Sequence, residues 1–198
     1  MREQKKPEIV VFAGPNGSGK STFTEILRPA MDYINADEIK KALECSDLEA
    51  AQLAERQREE HLAEGKDFCF ETVLSTPRNL HLLERAKMQG YFIRCYYVLT
   101  VDPHINVGRV RARVLSGGHD VPEEKIISRY TKALRLVKEV VAVSDVCHIY
   151  DNSWRPFRIF KKRKTECWFD PMDGWSREDI IALTGVRDMR KAELHHRA

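Results

Sequence analysis

Between Gly14 and Thr22 the chain reads Gly-Pro-Asn-Gly-Ser-Gly-Lys-Ser-Thr, which satisfies the spacing G-x-x-x-x-G-K-[ST]. Residues of these types at this spacing cradle phosphate. The glycines let successive backbone N–H groups turn toward a nucleotide, Lys20 reaches the β- and γ-phosphates, and the Ser21 hydroxyl is the expected ligand for Mg²⁺. A helix starting near Lys20 would add the positive end of its dipole at the same point. Gly14, Pro15, Asn16, Gly17, Ser18, Gly19, Lys20, Ser21 and Thr22 are therefore expected to bind ATP or GTP, because an apolar run precedes the loop and a helix-forming stretch follows it.

Moving a γ-phosphoryl group to a hydroxyl requires more than a cradle. It needs a carboxylate near the acceptor and cations over the equatorial oxygens of the transition state. Asp37 and Glu71 follow two short apolar runs. One can accept the hydroxyl proton while the other binds substrate or a magnesium-bound water. Arg109, Arg113 and Arg129 flank the glycine-containing segment 116–122, which has the composition of a flexible lid, and Lys20 completes the candidate catalytic set. Thr72, His119 and Arg129 join Asp37 and Glu71 as candidate substrate contacts.

A different ATPase class shares part of this pattern. Leu115-Ser116-Gly117-Gly118-His119 looks like the signature of ABC-type ATPases. Those proteins need a strand ending in Asp-Glu about twenty residues later to hold magnesium and activate water. Here the next strand ends Asp151-Asn152, and Pro122 starts a new helix where the signature helix should continue. A kinase accounts for more of the chain.

The elements that must position these groups follow from periodicity and caps. Glu8 to Phe12 reads as a buried parallel strand, and the helix from Lys20 ends by Pro29. Met31 to Asn35 is a second strand, and Asp67 to Phe70 a third that delivers Glu71 and Thr72 to the same edge as Asp37. Between them Ser46-Asp47-Leu48-Glu49 forms a capping box, and the helix to Glu64 carries Ala51, Leu53, Ala54, Leu62 and Ala63 as a narrow apolar stripe. Thr76-Pro77 opens a helix to Gly90, Tyr91 to Leu99 is a central strand, and Asp102-Pro103 opens the helix bearing Arg109 and Arg113. Glu123 to Val143 reads as one helix and Val146 to Tyr150 as the fifth strand. Arg158 to Lys161 and Thr165 to Phe169 suit a hairpin, and Ser176 to Leu183 a short capped helix. Strands alternating with helices predict an α/β fold of the P-loop NTPase type, with a five-stranded parallel sheet and helices on both faces.

Composition sets the outer bounds. With 198 residues, 42% of them hydrophobic, the chain is long enough for one real core. No apolar run nears the roughly 20 residues that span a bilayer, and no signal-peptide pattern is visible, so a cytoplasmic protein without membrane contact is expected. Cys45, Cys69, Cys95, Cys147 and Cys167 are widely spaced with no C-x-x-C pair, which argues against a disulfide framework or zinc site; Cys69, Cys95 and Cys147 read as small buried hydrophobes. The net charge of +3 lies wholly beyond residue 150, where 11 basic residues face 8 acidic ones. Arg155 to Lys164 holds six basic residues and no acidic one, interleaved with Trp154, Phe157 and Phe160. A single short patch on a near-neutral domain argues for a solvated hairpin over a nucleic-acid surface. Residues 1–153 are read as the kinase core, with the lid at about 113–122, and 154–198 as a basic C-terminal appendage of the same domain.

These residues together resemble the zeta toxin family of P-loop kinases, in particular its short bacterial members. The resemblance rests on Gly14 to Thr22, Asn35-Ala36-Asp37-Glu38, Phe68 to Ser75, Gly117 to Pro122 with Arg129-Tyr130, and Tyr150-Asp151-Asn152-Ser153. It implies a nucleoside-kinase-like fold, ATP- and Mg²⁺-dependent phosphorylation of a small-molecule hydroxyl such as that of UDP-N-acetylglucosamine, and an antitoxin partner. By the same resemblance Lys20 and Ser21 hold phosphates and magnesium, Asp37 is the base, Glu71 and Thr72 contact substrate, and an arginine of the lid steadies the transferred group. Val73 departs from the family pattern, where a second threonine is common, and His119-Asp120 stands where a lid arginine is expected. Two rivals remain open from sequence: a nucleic-acid-associated ATPase using Arg155 to Lys164, and a regulatory ATP-binding protein without turnover.

Overall fold

The computed structural model describes residues 6–170 and 174–192. Strand β1 (Glu8–Ala13) is the centre of the molecule: β-branched Ile9, Val10 and Val11 suit an extended backbone, and every residue after Glu8 is buried. It pairs in parallel with β3 (Phe68–Thr72) on one side and β4 (Phe92–Leu99) on the other. β2 (Asp32–Ile34) lies outside β3, and β5 (Val146–Asp151) outside β4, both parallel. The chain thus leaves β1 toward one edge and later returns toward the other. The loop after β1 stands at that switch point, where open α/β sheets bind ligands beyond the strands' carboxyl ends.

The five parallel strands match the expectation, and three more extend them. β6 (Phe157–Arg163) and β7 (Glu166–Phe169) form the expected hairpin, somewhat longer than its sequence pattern, and β8 (Arg190–Lys191) pairs with β7. The order is β2-β3-β1-β4-β5-β6-β7-β8. Antiparallel β6 covers the free edge that β5 would otherwise present as unpaired N–H and C=O groups.

One face of the sheet is covered by α3 (Asp47–Glu64), α4 (Arg78–Met88), α7 (Val137–Val143) and α8 (Arg177–Thr184). They bury Ile9, Val11, Phe68, Phe70, Tyr97 and Ile149 in one cluster. The other face has a smaller cluster of Val10, Phe12, Cys69 and Val98 beneath Phe23 of α1 (Lys20–Leu27). α5 (Pro103–Leu115) and α6 (Glu123–Arg135) pack on each other through Val107, Val110 and Ile126. Cys69, Cys95 and Cys147 are free and buried, as their strand positions suggested.

Four local expectations change. The helix expected over 123–143 breaks at Leu136, where α6 hands over to the valine-rich α7; β-branched residues lower helix propensity there and suit packing on the sheet. A short helix α2 (Ala36–Leu43) follows β2, where only a strand end was read. The buried stripe of α3 is Ala50, Ala54 and Leu62, a different face from one containing Ala51 and Ala63, which are exposed. Pro77 occupies the N-cap of α4 itself, so Thr76 does not cap it.

Candidate functional site

The loop of residues 14–19 is held open by its backbone. Gly14 has φ 142°, and a Cβ there would lie 1.9 Å from the Val98 carbonyl oxygen; Gly19 has φ 95°, and its Cβ would lie 2.4 Å from Asn152 Nδ2. Only glycine fits either position. Gly19 caps α1 without any side-chain hydrogen bond, which leaves the first N–H groups of the helix free for an anion. Asn152 Nδ2 donates to the Ser18 carbonyl at 2.8 Å and ties the loop to the end of β5. Asn16 Oδ1 and Ser18 Oγ are buried with no partner among the described residues.

A cavity of about 530 Å³ opens over this loop, lined by Asn16, Gly17, Gly19, Lys20, Ser21 and Thr22 together with Asp37, Glu71, Thr72, Arg109, Arg113, His119 and Arg129. Gly14, Pro15 and Ser18 are buried and do not line it. Lys20 Nζ donates to the Pro15 carbonyl at 3.0 Å. Burial pushes its pKa down to about 8; Glu71 opposes the shift, Arg113 adds to it, and Asp37 opposes it. An ammonium poised this way is one that a polyanion would recharge.

The carboxylates are positioned by different devices. Asn35 caps α2, its side chain accepting from the backbone N–H of Asp37 at 2.7 Å and of Glu38 at 3.3 Å, which sets Asp37 in the first helical turn. The Asp37 carboxylate has no ion-pair or hydrogen-bond partner among the described residues, and it faces the cavity. Glu71 is engaged: Tyr33 donates its hydroxyl to Oε1 at 3.0 Å, and Ser21 donates to Oε2 at 3.3 Å. Asn35 Nδ2 donates in turn to the Tyr33 oxygen. Burial and the adjacent Glu71 carboxylate raise the Tyr33 pKa, so the phenol stays protonated and keeps donating. Glu71 therefore stands against the Ser21 hydroxyl.

A hydroxyl and a carboxylate oxygen this close suit a hard cation with oxygen ligands, so the residues fit Mg²⁺. No group of three or more His, Cys, Asp or Glu side chains among the described residues would hold a metal alone. Ser21 and Glu71 would share it with phosphate oxygens and water.

The arginines differ. Arg109 Nη2 donates to the carbonyls of Asn152 at 2.6 Å and Ser153 at 3.0 Å, while its Nη1 is buried without a partner. Arg113 Nη2 donates to the His119 carbonyl at 2.6 Å and so braces the loop between α5 and α6. Arg129 has no partner among the described residues. Arg129, Asp37, His119 and Val121 also line a second cavity of about 340 Å³ with Asp47, Asp120 and Lys125, which adjoins the first through these shared residues. Thr72 lines the large cavity, yet its hydroxyl oxygen accepts from Leu74 N at 3.0 Å and Asn79 Nδ2 at 2.8 Å, which holds the turn after β3.

Tyr33, Asn35 and Asn152 were assigned no site role from sequence, although Asn35 and Asn152 lie in stretches that carry the family resemblance. The Asn-Ala-Asp-Glu run after a strand is a readable N-cap signal for Asn35. Nothing local marks Tyr33, and the Tyr150-Asp151-Asn152-Ser153 stretch gave Asn152 no role of its own; both act across strands. Asp151 is consumed structurally: it accepts from Ser153 N and Oγ, both at 2.6 Å, and from Trp175 Nε1 at 2.7 Å. It is not free to serve as an ABC-type magnesium ligand.

With this geometry in view, a family model for zeta toxin matches residues 1–165. The chain belongs to the zeta toxin family. An uncharacterized protein of Haemophilus influenzae is 28% identical over 129 residues, which is 62% of this chain and 92% of the relative. Among solved structures, the PezAT chromosomal toxin–antitoxin system of Streptococcus pneumoniae matches with TM-score 0.57 and 16% identity, over 79% of this chain and 73% of that one. The AvrRxo1-ORF1:AvrRxo1-ORF2 structure with sulphate ions matches with TM-score 0.68 and 14% identity, over 90% and 64%. The Pnkp1/Rnl/Hen1 RNA repair complex matches with TM-score 0.54 and 18% identity, over 68% and 46%. At these identities the likeness shows a shared fold. No helix among the described residues is long and apolar enough to cross a membrane.

Proposed function

We propose that this zeta toxin family member is an ATP-dependent kinase that transfers the γ-phosphate to a hydroxyl of a small molecule. What supports the reading most is that the unpartnered Asp37 carboxylate lines the same cavity as Lys20 and Ser21. Backbone N–H groups of residues 16–21 bind the phosphates, and the Lys20 ammonium neutralises charge on the β–γ bridge. Mg²⁺, held by Ser21 beside Glu71, would supply charge neutralisation at the phosphates. Asp37 accepts the proton of the attacking hydroxyl. Arg129, which has no partner among the described residues, and Arg113 offset charge on the equatorial oxygens. Arg109 holds the loop after β5 against the cradle. His119 borders the acceptor, which occupies the second cavity beside Asp37 and Arg129, while Thr72 faces it from the large cavity.

The acceptor implied by the family resemblance is a UDP-N-acetylglucosamine-type nucleotide sugar, and an antitoxin is the expected protein partner. The PezAT structure is of a toxin–antitoxin system, which favours that partner class. Use of ATP and a metabolite acceptor agrees with a cytoplasmic setting. The nucleic-acid reading loses support because Arg158 is paired with Asp170 and Lys162 is spent on carbonyls of α7.

Incubation with γ-labelled ATP, Mg²⁺ and a metabolite extract, followed by mass spectrometry, should reveal one new phosphorylated species that Asp37→Asn fails to form. ATP binding with no labelled product beyond inorganic phosphate would leave a regulatory nucleotide binder instead.

A further inference from the structure

Beside α1, part of the second face of the sheet lies open. α1 lies on this face, with Phe23 against Tyr150 at 4.9 Å between ring centroids, and Arg28 at its C-cap stands over the Tyr33 ring at 4.7 Å. Among the described residues, the hydrophobic cluster on this face takes its one helical side chain, Phe23, from α1. Among the described residues no helix side chain joins the rings at the corner formed by β4, β5, β6 and β7, whereas the opposite face of the same strands carries the large buried cluster.

The floor of this corner is a row of rings. Phe12 and Tyr96 stack at 5.3 Å with 14° between planes, Tyr96 and His148 at 5.6 Å with 29°, and His148 and Tyr150 at 6.3 Å with 12°. Tyr96, His148 and Tyr150 are only half-buried. His148 Nδ1 is a buried nitrogen without a partner among the described residues. Burial, then Arg158, Lys161 and Arg94, push the His148 pKa down to about 4, so the ring is neutral and adds to the apolar floor.

The rim is basic. Register places Arg163 and Lys161 opposite Val146 and His148, and a register shift between Ile149 and Tyr150 brings Arg158 opposite Tyr150, so all three share that face. Arg94 is paired with Glu8 and Arg158 with Asp170, each at 2.9 Å. Lys161 lies over the Trp168 ring at 5.1 Å without an ion pair, and Arg163 has no partner among the described residues. The unspent charge is therefore positive and sits along one border of an apolar strip.

Two occupants fit poorly. A single-stranded nucleic acid needs free ring faces on which bases stack. Here neighbouring rings cover one another's faces, Lys161 covers that of Trp168, and two of the arginines are already neutralised. A second copy of the chain would bring the same basic rim against itself. We infer that this corner seats an acidic amphipathic α-helix of another protein, its apolar face on Tyr96 and His148 and its carboxylates toward Lys161 and Arg163. Apolar contact over the rings would supply adhesion, and the charged border would set orientation and association rate.

The test uses the full chain with p-benzoylphenylalanine in place of Trp168, irradiated in the cells that carry its gene. The expected adduct maps by mass spectrometry to an acidic amphipathic segment of a different protein. A synthetic peptide of that segment should bind the purified chain, more weakly as salt rises. Its dissociation constant should increase at least about 10-fold in the double variant Lys161→Glu, Arg163→Glu, with ATP affinity kept within about twofold. Should that variant melt early, Lys161→Gln with Arg163→Gln serves, with an expected loss of about threefold or more. An adduct on a second copy, on RNA or on a non-acidic segment, no adduct at all, or a peptide affinity indifferent to both variants would overturn the inference.

Discussion

Raising the pH should weaken nucleotide binding through Lys20. Its ammonium is charged only below a pKa of about 8, chiefly because it is buried. The terminal phosphate of ATP is fully ionised well below that point, since phosphate second ionisations lie near about 6. If only the charged amine holds the triphosphate, the apparent Kd grows as one plus ten to the power of pH minus pKa. Between about pH 7 and about pH 9 that is a loss of about 10-fold in affinity. The empty protein behaves oppositely. The folded-state pKa lies below the ordinary lysine value of 10.5, so the unfolded chain binds more protons between the two values. This group's contribution to stability therefore rises with pH from about 8 to about 10.5. The rise in Tm given by ATP should shrink across the same interval, because ligand stabilisation follows the ratio of free ligand to Kd. Calorimetric titration of ATP with Mg²⁺ at three pH values measures the first effect and thermal melting the second. Lys20→Arg, whose guanidinium stays charged throughout, should bind with a flat profile. A wild-type affinity that is level over this range, or an equal decline in Lys20→Arg, would refute the reasoning.

Other perturbations have separate signatures. Asp37→Asn should leave ATP affinity within a few-fold and slow phosphoryl transfer by about 10² or more, as expected for losing a general base; unchanged turnover would show that Asp37 is misassigned. Glu71→Gln keeps the shape that Tyr33 and Ser21 contact while removing the charge, so half-saturating Mg²⁺ should rise roughly 10-fold. A shift in acceptor KM with no change in magnesium requirement would instead make Glu71 a substrate ligand. Gly14→Ala forces a Cβ to 1.9 Å from the Val98 carbonyl oxygen at φ 142°. It should cost about 3 kcal/mol or more and lower Tm by roughly 6–12 °C, and a melting point within about a degree of wild type would contradict the close approach.

Much of the chemistry was legible in the sequence because it is local. The phosphate loop is one contiguous run whose glycine positions carry their own backbone reason. The five parallel strands announced themselves by short apolar runs between capped helices, and Asn35 before Asp37 is a cap that can be read without coordinates. Asp37, Glu71 and the lid arginines could be nominated from strand ends and helix faces. Their division of labour could not. Tyr33, from the edge strand β2, fixes Glu71 on β3 against Ser21 of α1. Asn152, at the end of β5, fixes the loop after β1. Each of these contacts joins residues distant in sequence and depends on strand register, which periodicity does not specify. Sequence likewise gave no sign that Leu136 would break a helix or that the basic hairpin would extend the sheet beside an open row of rings. Residue types and short spacings determined that a nucleotide's phosphates would be held. Only the pairing of strands, whose hydrogen bonds bring distant residues to neighbouring positions, decided which carboxylate stands free beside them and which is drawn to the serine.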